Sequence, residues 1–329
     1  MSTLNIGITG ASGSLGKRLL RHLLNKHKDE TNIRIHCLVR NPESIKSVAS
    51  EGCNIVEGDL HNTQVLQTFV NNLDVCVHLA SLVGFATTKD YHHTNVLGTE
   101  NLCAAIAGVN PECRLIYCSS ITVLRRNKIF PWFNTAYANS KHAGELIVNE
   151  YQRQFKLCVN FIYPGLIYGP GDTHLLPNLK RHLKKGSMFF ITGGEVNAPL
   201  IYIDDLCELF SYAIFHRLEN GKKLIGVGPQ DVGIHRFIAM VATELGLSSP
   251  KVTLPKCIVS PTAIVLECIY RLLGKKNAPP ISKRAVNFLS GQLDPKLVAS
   301  TNGQEWTGKT RISEGLKLTL SDPLTNQSL

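Results

Sequence analysis

Two side chains four positions apart could carry proton chemistry. In Tyr137-Ala138-Asn139-Ser140-Lys141 a phenol and an ammonium fall on one face of a predicted helix that starts near Ala136. A phenol of ordinary pKa near 10 is a poor base at neutrality, and a neighbouring positive charge brings it toward the working pH. Tyr137 is therefore expected to act as an acid or base on a carbon-oxygen bond, tuned by Lys141. Any helix can show this spacing by chance. Further weight comes from Ser119-Ser120, just past the apolar run Leu115-Ile116-Tyr117-Cys118. Residues beyond the carboxyl end of a parallel strand face the ligand crevice. Ser120 is thus placed to donate to a carbonyl oxygen as negative charge develops there, with Ser119 or Thr122 able to share that duty.

A second constellation opens the chain. Gly7-Ile8-Thr9-Gly10-Ala11-Ser12-Gly13-Ser14-Leu15-Gly16 places glycines at 10, 13 and 16 between a strand and the mouth of a helix. Gly10 suits a tight turn, Gly13 a close backbone approach to a pyrophosphate, and Gly16 close packing of helix on strand. The helix start adds N–H groups and a favourable dipole for an anion. A dinucleotide is the expected cofactor, with Lys141 holding its nicotinamide ribose. The second strand ends in Arg40, where an acidic residue would accept the ribose hydroxyls of NAD. A guanidinium suits a 2'-phosphate, so NADP(H) is expected ahead of NAD(H), with Lys46 assisting or lying on a helix surface. Asp59, in Glu57-Gly58-Asp59-Leu60, is a candidate for the adenine amino group or a cap for the next helix. In His78-Leu79-Ala80-Ser81, small side chains permit backbone contact with the cofactor, and His78 is read as structural.

These groups must be positioned by the elements between them. Short β-branched runs at Asn5-Thr9, Arg34-Val39, Asn54-Glu57, Val75-Leu79, Arg114-Cys118 and Cys158-Tyr163 alternate with helical patterns starting near Leu15, Pro42, Thr63, Asn95 and Ala136. Such alternation requires crossovers covering both faces of a parallel sheet. The expectation is an α/β, doubly wound, mostly parallel sheet with a smaller, discontinuous C-terminal substrate domain. Residues 1–165 plus 201–229 would form the dinucleotide-binding domain, and 166–200 plus 230–329 the substrate-binding domain.

Composition bounds the rest. With 329 residues and 43% hydrophobic content the chain can bury a large core, which excludes general disorder. The net charge of +10 favours anionic partners without naming one. Cysteines such as Cys37, Cys53, Cys76, Cys103, Cys113, Cys118 and Cys158 are dispersed through apolar runs without metal-ligand spacing. They read as thiols of a reducing compartment, with no metal site. The strand at the very start leaves no room for a leader, and cytoplasmic localisation is expected. No stretch reaches the roughly 20 apolar residues of a membrane span. The greasy segment Leu254 to Leu273 is interrupted by Lys256, Glu267 and Arg271. It reads as a substrate-side helix or lid, with peripheral membrane contact as the alternative.

Thr9-Gly10-Ala11-Ser12-Gly13-Ser14-Leu15-Gly16, Gly58-Asp59-Leu60, His78-Leu79-Ala80, Asn95-Val96-Leu97-Gly98-Thr99, Ser119-Ser120, Tyr137 to Lys141, Tyr163 to Gly171 and Tyr202-Ile203-Asp204-Asp205-Leu206 form one ordered set. It resembles the extended short-chain dehydrogenase/reductase family, especially its NAD-dependent epimerase/dehydratase and 3β-hydroxysteroid dehydrogenase/dihydroflavonol reductase-like branches. The resemblance implies that Asn95 organises the active-site helix and that Ser120, Tyr137 and Lys141 form the catalytic group. It also places Tyr163-Pro164-Gly165 beside the nicotinamide, has Asp204-Asp205 support the domain junction, and carries an expectation of a homodimer. Two features depart from the pattern. Tyr163 stands where many relatives have arginine, and the interval from Ser120 to Tyr137 is short and basic, with Arg125, Arg126 and Lys128.

These readings favour an NADP(H)-linked oxidoreductase acting on a ketone, aldehyde or secondary alcohol. A 4,6-dehydratase is disfavoured because Ile121-Thr122 stands where an acidic pair is usual. Two alternatives stay open: an NAD-dependent sugar-nucleotide epimerase, and a dinucleotide-binding regulatory or scaffold protein without chemistry. Nucleic acid is not expected, since no reading element or aromatic stacking surface accompanies the basic residues. The expected partner is a small molecule. Phe130, Trp132, Phe133 and Pro261 to Leu273 suggest a hydrophobic one, while the basic loop equally permits a phosphate.

Overall fold

The computed structural model describes residues 3–26, 32–49, 52–84, 86–126, 134–195, 198–229, 232–273, 279–290, 295–302 and 306–322. Lys128, Phe130, Trp132 and Phe133, singled out above, lie outside the described residues. The strands are β1 (Leu4–Thr9), β2 (Ile33–Val39), β3 (Cys53–Glu57), β4 (Val75–His78), β5 (Arg114–Cys118), β6 (Val159–Pro164), β7 (Leu166–Tyr168), β8 (Phe190–Ile191), β9 (Leu200–Tyr202), β10 (Lys223–Gly226) and β11 (Thr253–Leu254). Seven of them form a single sheet in the order β10-β6-β5-β4-β1-β2-β3. Every pairing in it is parallel. This is the doubly wound sheet expected from the alternating pattern, and its order reverses between β1 and β4.

Period-two alternation sends successive side chains to opposite faces. Val75, Val77, Ile116 and Ile162 pack on one face against Leu19, Leu20 and Leu23 of the helix Ser14–Lys26 and Leu206 and Phe210 of the helix Ile203–Phe215. Cys76, Leu115, Tyr117, Phe161 and Tyr163 pack on the other against Leu66, Phe69, Leu102, Ile106 and Val148. These come from the helices Thr63–Val70, Gly98–Val109 and Ala136–Phe155. Every residue of β6 is buried, as a central strand covered on both faces requires.

The helix expected near Asn95 begins earlier. Thr87 caps it, accepting from the Asp90 N–H while Asp90 accepts from Thr87 in return, and helix runs through Thr88–Tyr91. A π-turn at His92–Leu97 then leads into Gly98–Val109.

A third core forms the smaller C-terminal domain, with Tyr168, Leu176, Leu179, Ile191, Phe237, Val241 and Leu316 at its centre. The proline-interrupted apolar segment is a continuous helix, Lys256–Leu272. Pro261 lies in its second turn, where the missing N–H deprives only the Cys257 carbonyl of a helical partner. The helix Pro295–Asn302 returns to the large sheet. The Asn302 side chain donates to the Ile225 carbonyl and accepts from the Ile225 N–H, both at 2.8 Å, satisfying the outer edge of β10.

All ten cysteines are free thiols. Among the described residues no helix is long and apolar enough to cross a membrane, and no cluster of side chains could hold a metal ion.

Candidate active site

The residues singled out from sequence converge on the carboxyl edge of the large sheet. The glycine turn follows β1, Arg40 follows β2, Asp59 follows β3, Leu79 to Ser81 follow β4, Ser119-Ser120 follow β5 and Gly165 follows β6.

Gly10 has φ 74°, and a Cβ there would meet the Ala80 N–H at 2.6 Å. One at Gly16 would lie 2.2 Å from the Gly10 carbonyl. Both glycines are therefore fixed by packing. Gly13 differs, since its Cβ would meet only the Gly10 carbonyl, at 3.4 Å, and Ser12, Gly13 and Ser14 are exposed. The helix start faces open space in front of the turn, a cradle that fits the pyrophosphate of a dinucleotide.

Beside it, Leu79 N–H donates to the Thr9 carbonyl at 3.1 Å and Ala80 N–H to the Thr9 hydroxyl at 3.3 Å, so β1 and β4 leave the sheet together. His78 is buried between two hydroxyls, with Nδ1 2.7 Å from Thr9 and Nε2 3.1 Å from Thr99. Because Thr99 already donates to the Asn95 carbonyl at 2.9 Å, Nε2 carries the proton and Nδ1 accepts. Burial, with Lys141 nearby, lowers the His78 pKa to about 3. The structural reading of this histidine is upheld.

Asp59 is exposed and accepts from the His61 N–H at 2.7 Å, forming a turn, while Asn62 caps the following helix. Leu60 is buried beneath Gly98, where a Cβ would come within 2.8 Å of it.

The helix Ala136–Phe155 presents Tyr137, Lys141 and Glu145 at successive turns. Lys141 is 3% exposed; its Nζ donates to the Cys118 carbonyl at 2.6 Å and lies 4.7 Å from the centre of the Tyr117 ring. Burial lowers its pKa, and Cys118 and Glu145 oppose that shift. The Tyr137 ring lies 6.0 Å from that of Tyr91.

Asn95, within the π-turn, accepts from the Leu82 N–H at 2.7 Å and donates to the Ser140 hydroxyl at 2.9 Å. It thereby pins the helix carrying Tyr137 to the loop after β4. Gly144 permits this approach, since a Cβ there would sit 2.6 Å from the Asn95 carbonyl.

The two serines after β5 point apart. Ser119 donates to Glu145 at 2.8 Å, inside the core. Ser120 accepts from the Thr122 N–H at 3.3 Å and from the Thr122 hydroxyl at 3.0 Å, which leaves its own proton for a further acceptor.

Tyr163 is wholly buried and donates to Glu145 at 2.6 Å, so its side chain is committed to the core and only its backbone reaches the sheet edge. Gly165 accommodates the Pro199 carbonyl, which would lie 2.2 Å from a Cβ. Asp204 forms a two-pronged pair with Arg18 of the glycine-turn helix, and Asp205 accepts from the backbone of Lys309 and Thr310. Each thus ties a different segment to the helix Ile203–Phe215.

Sequence reading missed Glu145. Its signal was a carboxylate eight residues beyond Tyr137 and four beyond Lys141, on the same face of an amphipathic helix.

The family model described as NAD dependent epimerase/dehydratase family matches residues 6–228, from β1 to just past β10. The chain belongs to the NAD dependent epimerase/dehydratase family. It is thus a member of the extended short-chain dehydrogenase/reductase superfamily and an oxidoreductase or epimerase-type enzyme that uses a nicotinamide dinucleotide.

Two curated relatives in this superfamily match most of the chain. A 2-alkyl-3-oxoalkanoate reductase from Shewanella oneidensis is 24% identical over 94% of this chain and 84% of its own length. A 4-hydroxy-2-methyl-3-oxo-4-farnesyl-3,4-dihydroquinoline-1-oxide ketoreductase from Stigmatella aurantiaca is 24% identical over 94% and 93%. Among solved structures, UDP-glucuronic acid 4-epimerase from Bacillus cereus, in complex with UDP-glucuronic acid and NAD, superposes with a TM-score of 0.72. It is 18% identical over 99% of this chain and 100% of that one.

The expectation of NADP(H) is corrected by the solved structures. In that epimerase structure and in six further solved structures sharing the fold, the dinucleotide is NAD. The physical reason lies around Arg40. It is exposed beyond β2, and Lys46, its expected assistant, is turned onto Glu43 at 3.1 Å. One solvated guanidinium provides charge without the fixed set of donors that would select a phosphate. The comparisons accordingly back the NAD-dependent epimerase alternative over an NADP(H)-linked reductase.

Proposed function

We propose that the chain is an NAD-dependent enzyme acting at a secondary carbinol carbon, as a sugar-nucleotide epimerase. The observation that carries this reading is the buried Lys141 ammonium, set one helical turn from Tyr137 at the sheet edge that also holds the open glycine turn. Likeness of nearly the whole chain to a 4-epimerase supports it.

In this reading Gly10, Ser12, Gly13, Ser14, Leu15 and Gly16 hold the pyrophosphate. Asp59 and Leu60 border the adenine, and Arg40 lies on the adenosine ribose side. Leu79, Ala80 and Ser81 line the dinucleotide through their backbone, as do Tyr163, Pro164 and Gly165 at its nicotinamide end. When bound, NAD would supply hydride-accepting and hydride-donating chemistry at the carbinol carbon. Tyr137 takes the substrate hydroxyl proton as the carbonyl forms and gives it back on reduction. Lys141 favours the phenolate and binds the nicotinamide ribose. Ser120 donates its uncommitted proton to the carbonyl oxygen. Asn95 is a positioning residue that fixes the helix bearing Tyr137. Residues 1–165 with 201–229 form the cofactor side, and 166–200 with 230–329 the substrate side, except that the helix Pro295–Asn302 packs back on β10.

A second reading, net reduction of a ketone, is favoured by the two keto-reductases that align with 94% of the chain. One experiment separates them. The protein is incubated with NAD and UDP-glucuronic acid, and in parallel with NADH and a 2-alkyl-3-oxoalkanoate, with products followed by NMR and NADH by absorbance. A new sugar epimer without net NADH supports the first reading. Stoichiometric NADH consumption by the ketone replaces it with the second. Binding of NAD with no turnover in either arm overturns both as stated.

A further inference from the structure

The helix Lys256–Leu272 is inverted relative to an ordinary surface helix. Val259 and Ala263 reach the core, yet its one carboxylate, Glu267, also points inward and pairs with Lys283 at 3.6 Å, both side chains largely covered. The solvent side carries Ile258, Pro261, Val265, Ile269 and Leu272, which recur every three or four residues and so share one face. Six of the thirteen most exposed large hydrophobic residues described lie between positions 252 and 273. Of the ten cysteines only Cys257 and Cys268 are exposed, and both belong to this stripe. The Thr262 hydroxyl within it is satisfied by the Ile258 carbonyl at 2.8 Å.

We propose that this helix docks on an anionic lipid surface, its apolar outer stripe resting in the boundary between headgroups and acyl chains. The inference does not rest on the function proposed above. Charge identifies the occupant. Lys251 and Lys256 are exposed at the amino end of the stripe, and among the described residues neither is paired with a carboxylate. Partial burial lowers the Lys256 pKa, and repulsion from the nearby Arg125 guanidinium adds to that shift. An anionic headgroup would relieve that repulsion, and the whole chain, at net +10, is drawn to the same surface.

The stripe's composition separates lipid from protein. Among the described residues no aromatic side chain, of the kind that concentrates energy in protein interfaces, is exposed on the stripe, Tyr270 being half-buried. Aliphatic groups with Cys257, Thr262 and Cys268 extend over a length of roughly 25 Å. That length lies in the plane of a leaflet and does not cross it, as the absence of a spanning helix among the described residues requires.

The docked face would border the catalytic crevice. Lys283 Nζ donates to the Asn134 carbonyl at 3.4 Å, three residues before Tyr137, and Arg125 donates to the Asn287 carbonyl at 3.1 Å, five residues after Ser120. The helix pair Lys256–Leu272 and Lys283–Leu289 therefore flanks the approach to both catalytic elements.

The test uses the full chain floated with phosphatidylcholine vesicles, with and without phosphatidylserine. The wild type is expected to float with the anionic vesicles. Val265→Glu/Ile269→Glu should bind them at least about tenfold more weakly, because a carboxylate is costly to place in the boundary layer. Lys251→Glu/Lys256→Glu should weaken binding at low salt, and Leu318→Glu, on the exposed face of another helix, should leave it unchanged. As a readout needing no substitution, Cys257 and Cys268 of the wild type should be protected by anionic vesicles from a water-soluble maleimide, mapped by mass spectrometry. Failure of the wild type to float overturns the proposal, as does full binding by the Val265/Ile269 variant or unprotected thiols. A vesicle-independent dimer that dissociates in that variant also overturns it, by assigning the stripe to a second copy of the chain.

Discussion

Glu145 accepts the phenol of Tyr163 at 2.6 Å, deep beneath the sheet edge where chemistry is proposed. Its other carboxylate oxygen takes the Ser119 hydroxyl at 2.8 Å, and Lys223 approaches at 3.4 Å. One buried charge thus ties the helix of Tyr137 and Lys141 to β5 and β6, and Ser119 to the side opposite Ser120. Burial and the carboxylate together push the Tyr163 phenol far above its ordinary range, so it acts as a permanent donor. Tyr163 thereby keeps a neutral donor on the carboxylate without adding a buried cation.

Tyr163→Phe should therefore destabilise the fold with little change in shape. A buried carboxylate that loses a donor typically costs about 1–3 kcal/mol. Denaturant unfolding should show a lower midpoint with an unaltered slope, and an unchanged midpoint would remove Tyr163 from this network.

Glu145→Gln acts on Lys141 as well. The carboxylate opposes the downward pull of burial on the lysine pKa. Without that negative charge the ammonium should release its proton at lower pH, moving the alkaline limb of the pH–rate profile toward neutrality. A profile that falls in amplitude but keeps its alkaline limb would make Glu145 purely structural.

Tyr137→Phe should retain NAD, which the glycine turn is proposed to hold, and lose turnover by about 10²–10⁴, the usual contribution of a positioned acid-base group. Isothermal titration and a steady-state assay together read the two effects. Turnover within tenfold of the wild type would exclude the phenol as the proton carrier.

Most of this architecture was legible because parallel strands and their helices advertise themselves by period. Arg114–Cys118 was bounded correctly from its apolar run, and the active-site helix was read as starting near Ala136, where it does start, with Thr135 as its cap. Asn95 was singled out, but the helix around it was entered seven residues late. Nothing in local propensity marks a π-turn, within which the Asn95 side chain reaches Leu82 and Ser140. The apolar run through Pro261 was legible as a segment, but not its orientation, since the inward turn of Glu267 depends on Lys283, sixteen residues away. Arg40 misled because its residue type was read without its surroundings.

Gly13 and Gly16 should separate binding from folding. Alanine at 16 would be forced against the Gly10 carbonyl and Ala11 backbone, so Gly16→Ala should lower the thermal midpoint clearly, in the range of overpacked cores, about 1–3 kcal/mol. Alanine at 13 meets only ordinary contact at 3.4 Å and should leave the midpoint unchanged, while its methyl occupies the space in front of the turn and weakens NAD by tenfold or more. Equal NAD affinity in Gly13→Ala would move the pyrophosphate elsewhere.

His78 should give the fold an acid-sensitive component. Its folded pKa of about 3 lies below the value near 6.5 of an unfolded histidine. Between those values the unfolded chain binds one more proton, so this contribution is complete above pH 6.5 and is lost as pH falls toward 3, by roughly 1.4 kcal/mol for each unit of pH. His78→Gln keeps a donor and an acceptor between Thr9 and Thr99 but cannot titrate. Unfolding measured from pH 4 to 8 should therefore show a shallower decline for the variant on the acid side, whatever its absolute stability. Parallel declines in the two proteins would show that His78 is not the group taking up the proton.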